Sequence, residues 1–118
     1  MNNNEEVTNL DYLEDLSAGD TEMMKELIEM FLDQAPENIT NMKKYLEKGD
    51  WKKLGEEAHK LKPTISYMGI QELETTIRTL ESNAKNAEEL DSLGPLLSEV
   101  ENVCDKAYKE LDAKREQI

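Results

Sequence analysis

The chain contains a single histidine, His59, within the stretch AHKLKPT at residues 58–64. Imidazole is nucleophilic near neutral pH, so a histidine that faces solvent can react with a partner. Lys62 follows His59 by three residues, and on a helix its ammonium lies one turn away, where it can contact an anion carried on the ring. His59 and Lys62 are therefore the first candidates for chemistry in this chain.

The helix around His59 is predicted to present the ring to solvent. Its apolar residues recur every three or four positions and form one stripe, at Leu54, Ala58, Leu61 and Ile65. His59 points about 140° away from that stripe. Small or positively charged residues surround the ring, and we expect a partner protein to contact Gly55, Lys60, Pro63 and Ser66, together with Arg78 of the following helix.

The antiparallel register of the next helix suggests a partner for the ring. If the chain reverses near Gly69, residues whose numbers sum to about 140 lie at the same height along the two helices. His59 then faces Glu81, and Lys62 faces Arg78. A carboxylate at Glu81 can accept a hydrogen bond from one ring nitrogen, which fixes the tautomer and leaves the other nitrogen nucleophilic.

Pro63 stands in the same helix, four residues after His59. Proline lacks the N–H that would bond the carbonyl of residue 59, and an interior helical proline costs about 3 kcal/mol relative to alanine. Two interpretations stay open at this point. The helix kinks or restarts at Pro63, or the small side chain allows a partner to approach the histidine closely.

Helix signals divide the first half of the chain into a short and a long segment. Residues 10–17 predict a short helix that ends at Gly19, with Asp20 or Thr21 capping the next one. The following apolar stripe passes Pro36 without changing face, which predicts one long, kinked helix that ends at residues 49–50. The same two residues are expected to cap the histidine-bearing helix.

Three further features complete the pattern. Gly69 interrupts the histidine helix, and a fourth helix follows it up to a loose polar stretch at residues 83–86. The last helix is expected to carry Leu96 on its apolar stripe and Pro95 in its first turn. Four long amphipathic helices with short connections predict an all-α fold, an antiparallel four-helix bundle with a short additional N-terminal helix. We expect residues 1–9 to form a flexible N-terminus, 10–113 the bundle domain and 114–118 a C-terminal tail.

The composition limits the classes of partner and the compartment. The net charge of −13 disfavours binding to nucleic acid or to an anionic membrane surface. The N-terminal residues MNNNEEV do not resemble a signal peptide, and the single cysteine, Cys104, permits no internal disulfide. These features predict a cytoplasmic protein, and we expect it to act as a monomer.

Resident metal ions and cofactors are not predicted. One histidine, one cysteine and no facing ligand pair are a poor match to a metal or haem site, and no Gly-rich phosphate loop indicates an ATP site. The methionines are interpreted as filling of the hydrophobic core rather than as ligands, at Met23, Met24, Met30, Met42 and Met68.

The residues around His59 resemble the histidine-containing phosphotransfer (HPt) domain family. The family pattern is A-H-x-L-K-G-[SA] followed by a glycine and a leucine, and this chain has AHKLKPT, then Gly69 and Leu73. The resemblance extends over roughly residues 10–112. Pro63 replaces the usual glycine of the motif, which changes the expected local helix geometry more than the expected chemistry.

The resemblance implies a phosphoryl carrier in a multistep two-component phosphorelay. His59 would accept a phosphoryl group from a receiver-domain phospho-aspartate and pass it to another receiver aspartate. Lys62 would help to hold the group, and Glu81 would orient the imidazole. The implied partners are response-regulator receiver domains, which supply the Mg²⁺, and a hybrid sensor histidine kinase. The chain itself would not be an enzyme with an ATP site.

A different class of function stays open beside this one. A non-catalytic four-helix adaptor could bind a receiver or a kinase without being phosphorylated, and most solitary histidines are ordinary surface residues. The residue that separates the two hypotheses is His59, because a relay requires the imidazole and an adaptor does not.

Overall fold

The computed structural model describes residues 6–118, and in this part of the chain the regular structure is helical. A short helix, α1 (Asp11–Ser17), precedes four longer ones: α2 (Thr21–Lys48), α3 (Trp51–Tyr67), α4 (Glu74–Asn86) and α5 (Leu90–Gln117). A 3₁₀ turn, Gln71–Leu73, leads directly into α4. The predicted all-α bundle with a short additional N-terminal helix is confirmed.

The long helices pack around one core. α3 lies between α2 and α4, and α5 closes the bundle against both of these helices. Each helix contributes apolar side chains spaced by three or four residues, as an amphipathic helix in a bundle must. The largest fully buried side chains include Leu13, Ile28, Phe31, Met42, Leu54, Leu61, Ile65, Leu73, Ile77 and Leu80.

Two aspartates begin the helices that follow them. The carboxylate of Asp20 accepts a hydrogen bond of 3.1 Å from the backbone N–H of Met23, and Asp50 accepts one of 3.2 Å from Lys53. These bonds satisfy backbone donors that have no partner within the first helical turn. The predicted caps at residues 20 and 50 are present, and α3, which carries His59, therefore starts at a defined residue.

The three prolines all lie inside helices. α2 is continuous through Pro36, as its unbroken apolar stripe predicts, and α3 is continuous through Pro63 rather than restarting there. The prediction for Pro95 is wrong: α5 begins at Leu90, so the proline lies in its second turn and not in its first.

Three other sequence expectations need correction. Residues 83–86 are not loose but form the last turn of α4, where the carbonyl of Asn83 accepts a 2.9 Å hydrogen bond from the Glu88 N–H. On α5, Leu97 lies in the core while Leu96 is only partly buried, because the buried stripe runs from Leu93 to Leu97 and Val100, with steps of four and three residues. Met23 and Met30 are exposed rather than core residues.

Residues 7–9 and the end of α5 pack against the bundle. Residues 1–5 of the predicted flexible N-terminus lie outside the described residues, but Thr8 is buried and donates from its Oγ1 to Glu110, at 2.7 Å. The backbone N–H of Asn9 donates to the Met68 carbonyl at 3.1 Å. α5 continues to Gln117. The division into residues 1–9, 10–113 and 114–118 stays a prediction. None of the helices within residues 6–118 is long and apolar enough to cross a membrane.

Candidate functional site

His59 lies on the outer face of α3, and its imidazole is exposed to solvent. The two core residues that flank this position on the opposite face, Ala58 and Leu61, are fully buried. Their burial determines the rotation of the helix about its axis, so the side chain of His59 must point outward. The imidazole keeps 61% of its surface accessible, as the helical periodicity predicts.

The turn between α3 and the 3₁₀ segment brings the next helix back along His59. Gly69 has a φ of +64°, a conformation that glycine adopts readily and other residues rarely. A Cβ atom at Gly69 would lie 2.0 Å from the carbonyl oxygen of Asn9, so the close approach of the N-terminal segment also requires glycine. This turn determines the register between α3 and α4.

Glu81 of α4 lies against the imidazole in that register. Its Oε2 atom is 2.7 Å from His59 Nδ1, a short distance typical of a charge-assisted hydrogen bond. The neighbour predicted from the antiparallel register is therefore in contact with the ring. The same carboxylate is nearly buried, with 10% of its side chain accessible.

Two lysines share this carboxylate with the histidine. Lys62 of α3 donates from its Nζ to Glu81 Oε1 at 2.8 Å, and Lys85 of α4 donates to Oε2, also at 2.8 Å. A buried carboxylate is costly unless it is paired and hydrogen-bonded. Here all three donors come from the two helices that meet at the site.

The hydrogen bonds decide the ionisation of Glu81. Burial alone would raise the pKa of this carboxyl group, but the hydrogen bonds from Lys62, Lys85 and His59 outweigh it and lower the pKa to about 2. Glu81 is thus ionised at neutral pH, and an ionised carboxylate can only accept hydrogen bonds. Nδ1 of His59 must be the donor, so in the neutral imidazole the lone pair is on Nε2, which is free to attack an electrophile.

The predicted docking residues are only partly gathered around the ring. Lys60, Pro63 and Arg78 are exposed and Ser66 is partly buried. A shallow groove of about 270 Å³ beside the site is lined in part by Lys62, Pro63, Ser66 and Arg78. The prediction for Gly55 is wrong, because this residue is buried and does not line an open surface.

Gly55 is covered by the side chain of Lys85. A Cβ atom at Gly55 would lie 2.7 Å from Lys85 Cγ and 3.4 Å from the Lys85 backbone nitrogen. The helical wheel correctly places Gly55 on the side of α3 that carries His59, but α4 packs against α3 at Gly55 and covers this residue.

Sequence reasoning missed Lys85, although two signals pointed to it. Lys85 follows Glu81 by four residues, the spacing at which a glutamate and a lysine pair on one helix. The register that places His59 against Glu81 also places Gly55 against Lys85, since both pairs of numbers sum to the same value. A glycine opposite a long side chain marks a place where two helices approach closely.

No second chemical site emerges among the described residues. Within residues 6–118, no group of three or more histidine, cysteine, aspartate or glutamate side chains is arranged to hold a metal ion. Cys104 is buried in the core, and burial raises the pKa of its thiol to about 12. A thiol in this state is a poor nucleophile.

Comparison with protein-family models identifies the family. The model described as Hpt domain matches residues 26–114, a range that includes His59, Lys62, Glu81 and Lys85. The chain belongs to the Hpt domain family. Comparison with curated proteins and with solved structures gave no significant match. Hpt domains are helical bundles that act in phosphotransfer within phosphorelays, where they interact with receiver domains and kinases.

Proposed function

We propose that this Hpt domain carries a phosphoryl group on Nε2 of His59 between two receiver domains. The Nε2 lone pair attacks the phosphorus of a receiver phospho-aspartate, the N–P bond forms, and the P–O bond to the aspartate breaks with its electron pair on the carboxylate. Nδ1 keeps its proton throughout, and the positive charge that develops on the ring faces Glu81. The reverse sequence on a second receiver returns the lone pair to Nε2.

The observation that carries this proposal is the 2.7 Å contact between His59 Nδ1 and Glu81 on an otherwise exposed ring. The contact supports a single reactive nitrogen that points to solvent. Lys62, which is 34% accessible beside the ring, is suited to neutralising a phosphoryl oxygen. An adaptor without phosphorylation would need neither the exposed nitrogen nor the carboxylate behind it.

The proposed partner proteins supply the groups that the transfer requires in addition to His59. Receiver domains supply the aspartates and the Mg²⁺, and a hybrid sensor histidine kinase supplies the phosphoryl group upstream. We expect receivers to dock over Lys60, Pro63, Ser66 and Arg78, next to the ring. We further expect the protein to act as a cytoplasmic monomer and as a carrier, with no ATP site of its own.

The test is phosphotransfer from a ³²P-labelled receiver. The wild-type chain is expected to acquire label that is lost in acid and retained in alkali, as expected for a phosphoramidate, and His59→Gln is expected to abolish it. Circular dichroism of the variant serves as the control for folding. Undiminished labelling of His59→Gln would overturn the proposal, and receiver binding by a wild-type chain that never becomes labelled would favour the adaptor.

A further inference from the structure

Two ammonium groups converge on one carboxylate behind His59. Lys62 Nζ and Lys85 Nζ each lie 2.8 Å from an oxygen of Glu81, and the imidazole donates to the same carboxylate. Two full positive charges therefore meet a single negative one. A single lysine would already neutralise the charge of the carboxylate, so the second lysine needs a separate explanation.

The two lysines reach Glu81 from different directions. Lys85 shares Oε2 with His59 Nδ1, and this arrangement holds its ammonium on the Nδ1 side of the ring. Lys62 instead bonds Oε1 and belongs to the same helix as His59, one turn further along. Nε2 is across the ring from Nδ1, so Lys62 is the one whose release from the carboxylate can serve a group on Nε2.

The packing of α3 and α4 provides a place for Lys85. Its side chain crosses α3 at Gly55, where a Cβ atom would come within 2.7 Å of Lys85 Cγ. Lys85 also stands four residues after Glu81 on α4, so the pair forms within one helix and does not depend on the position of Lys62. The lysine is thus held at Glu81 by its own helix and by the absence of a side chain opposite.

We propose that Lys85 is a positioning residue that keeps Glu81 ionised and bonded to His59 Nδ1, so that Lys62 is free to move to the phosphoryl group. The inference rests on the phosphocarrier function proposed above. When His59 carries the group, Lys62 exchanges Glu81 Oε1 for a phosphoryl oxygen, and no covalent bond changes in this step. Lys85 stays on Oε2, so the buried carboxylate is never left without an ammonium partner.

The need for such a residue follows from the charge that arrives. A phosphoryl group brings a charge of about −1.5 to −2 close to Glu81, which is already negative and nearly buried. If Lys62 were the only lysine, it would have to pair with both the Glu81 carboxylate and the phosphoryl group, or leave one of them unpaired. A buried carboxylate without an ammonium partner takes up a proton more readily. The neutral carboxyl group then no longer keeps the ring proton on Nδ1.

The inference predicts that the loss of Lys85 matters more after phosphorylation than before. The full chain with ¹⁵N-labelled histidine is loaded with phosphoramidate as a small phosphodonor, which removes any contribution from receiver docking. The Nδ1–H signal of His59 is then followed by NMR in both states, and ³¹P NMR reports the loaded fraction. In the wild type, the protected Nδ1–H signal should be present in both states.

Lys85→Met is expected to retain the protected Nδ1–H signal in the free protein, where Lys62 still pairs with Glu81, and to lose it in the phosphorylated protein. Lys85→Arg should restore it, since guanidinium also pairs with carboxylate. The matched control is Lys43→Met, which removes a lysine bonded at 2.8 Å to Glu101, away from the site. This control should behave as the wild type does in both states.

The outcomes separate this inference from the function on which it rests. If Lys85→Met changes the Nδ1–H signal equally in the two states, or not at all, Lys85 has only a structural role and the inference is overturned. A phosphohistidine signal in the wild type would leave the phosphocarrier function standing in that case. No phosphohistidine signal in the wild type, either with phosphoramidate or with a phosphorylated receiver as the donor, would overturn the function, and this inference with it.

Discussion

Two buried glutamates lie at the two interfaces of the histidine helix, Glu57 where α3 meets α2 and Glu81 where α4 meets α3. They differ in what surrounds them. Glu57 of α3 is 6% accessible and faces α2, where it accepts hydrogen bonds from Asn38 at 2.9 Å and from Lys60 at 3.1 Å. Glu81 of α4 is 8% accessible and faces α3. Its partners are the imidazole and two lysines rather than an amide and one lysine.

The comparison shows that burial of a carboxylate does not by itself indicate a functional site. For both groups burial raises the pKa and hydrogen bonds lower it below the ordinary value, so neither the burial nor the direction of the shift distinguishes them. The partners do. Glu57 is linked to α2 by the neutral amide of Asn38 and pairs with an exposed lysine of its own helix, which is a structural arrangement. The two lysines bonded to Glu81 bring more positive charge than one carboxylate balances, next to an exposed nucleophile.

The largest expected difference between the two glutamates is in phosphotransfer. Glu81→Gln removes the anion that holds the proton on Nδ1 and leaves two lysines without their partner. We expect transfer from a phosphorylated receiver to slow by about 10–100-fold, by analogy with the loss of a carboxylate that orients a metal-ligating histidine. Single-turnover labelling measures this rate.

Glu57→Gln is the matched control for that experiment, because it makes the same chemical change at a carboxylate of similar burial. Its transfer rate should stay close to that of the wild type. Equal slowing by the two variants would contradict the distinction drawn between the two sides of α3.

The next effect concerns stability at low pH. The pKa of Glu81 is about 2 in the folded protein against an ordinary value of 4.5, so its ionised form stabilises the fold above about pH 4.5. That contribution, on the order of 2–3 kcal/mol, is lost as the pH falls from about 4.5 towards 2. Urea unfolding of the wild type and of Glu81→Gln across this range should give free energies of unfolding that converge as the pH falls.

Glu57→Gln is expected to show the same direction with a smaller amplitude, because Glu57 has one charged partner rather than three potential ones. A gap between wild type and Glu81→Gln that is independent of pH would show that the ionisation of Glu81 does not stabilise the fold.

Lys60 and Lys62 of α3 allow a finer comparison. Lys62→Ala removes the ammonium that bonds Glu81 Oε1 beside the ring, and we expect transfer to slow by about 10-fold, as for loss of a charge-assisted contact of about 1–2 kcal/mol. Lys60→Ala should slow it less, since the Lys60 ammonium is held by Glu57 on the other side of α3. Rates measured at two receiver concentrations separate docking from transfer. An unaltered rate for Lys62→Ala would remove this lysine from the site.

The smallest expected effect is at Gly55. Gly55→Ala introduces a Cβ atom 2.7 Å from Lys85 Cγ, so the lysine must shift, whereas a Cβ atom at Gly94 in α5 would meet no atom within 4 Å outside its chain neighbours. Gly94→Ala should stabilise the protein by less than the ~0.5–1 kcal/mol of helix propensity, because Pro95 crowds a Cβ atom on the residue before it, and Gly55→Ala should be the less stable of the two variants. Thermal unfolding of the two variants provides the measurement. A similar gain at both positions would show that Lys85 does not need the glycine.

Much of this architecture was predictable from residue types and spacing. Helical periodicity placed His59 towards solvent, and the capping residues Asp20 and Asp50 marked the helix starts. Gly69 reverses the chain, and counting residues outward from this turn is enough to locate Glu81 opposite the ring. These inferences succeed because each depends on geometry within one helix or across one short turn.

The failures share a different physical origin. Leu96 and Leu97 are chemically identical, and only the packing of α5 against its neighbours decides which one is buried. The tail after residue 113 and the segment before residue 10 contain few strong helix or core signals, yet residues 7–9 bond to Glu110 and Met68. Contacts between residues distant along the chain leave no periodic pattern in the sequence.

The sequence by itself determined that the chain is a helical bundle with one exposed histidine, an ammonium one turn away and a carboxylate at the height of the ring. Local propensity and the 3.6-residue period are sufficient for this. Only the tertiary structure decided that Gly55 is buried under Lys85 and that a second lysine therefore reaches Glu81. A helical wheel describes the face of one helix, but the side chain that covers this face belongs to the helix packed against it.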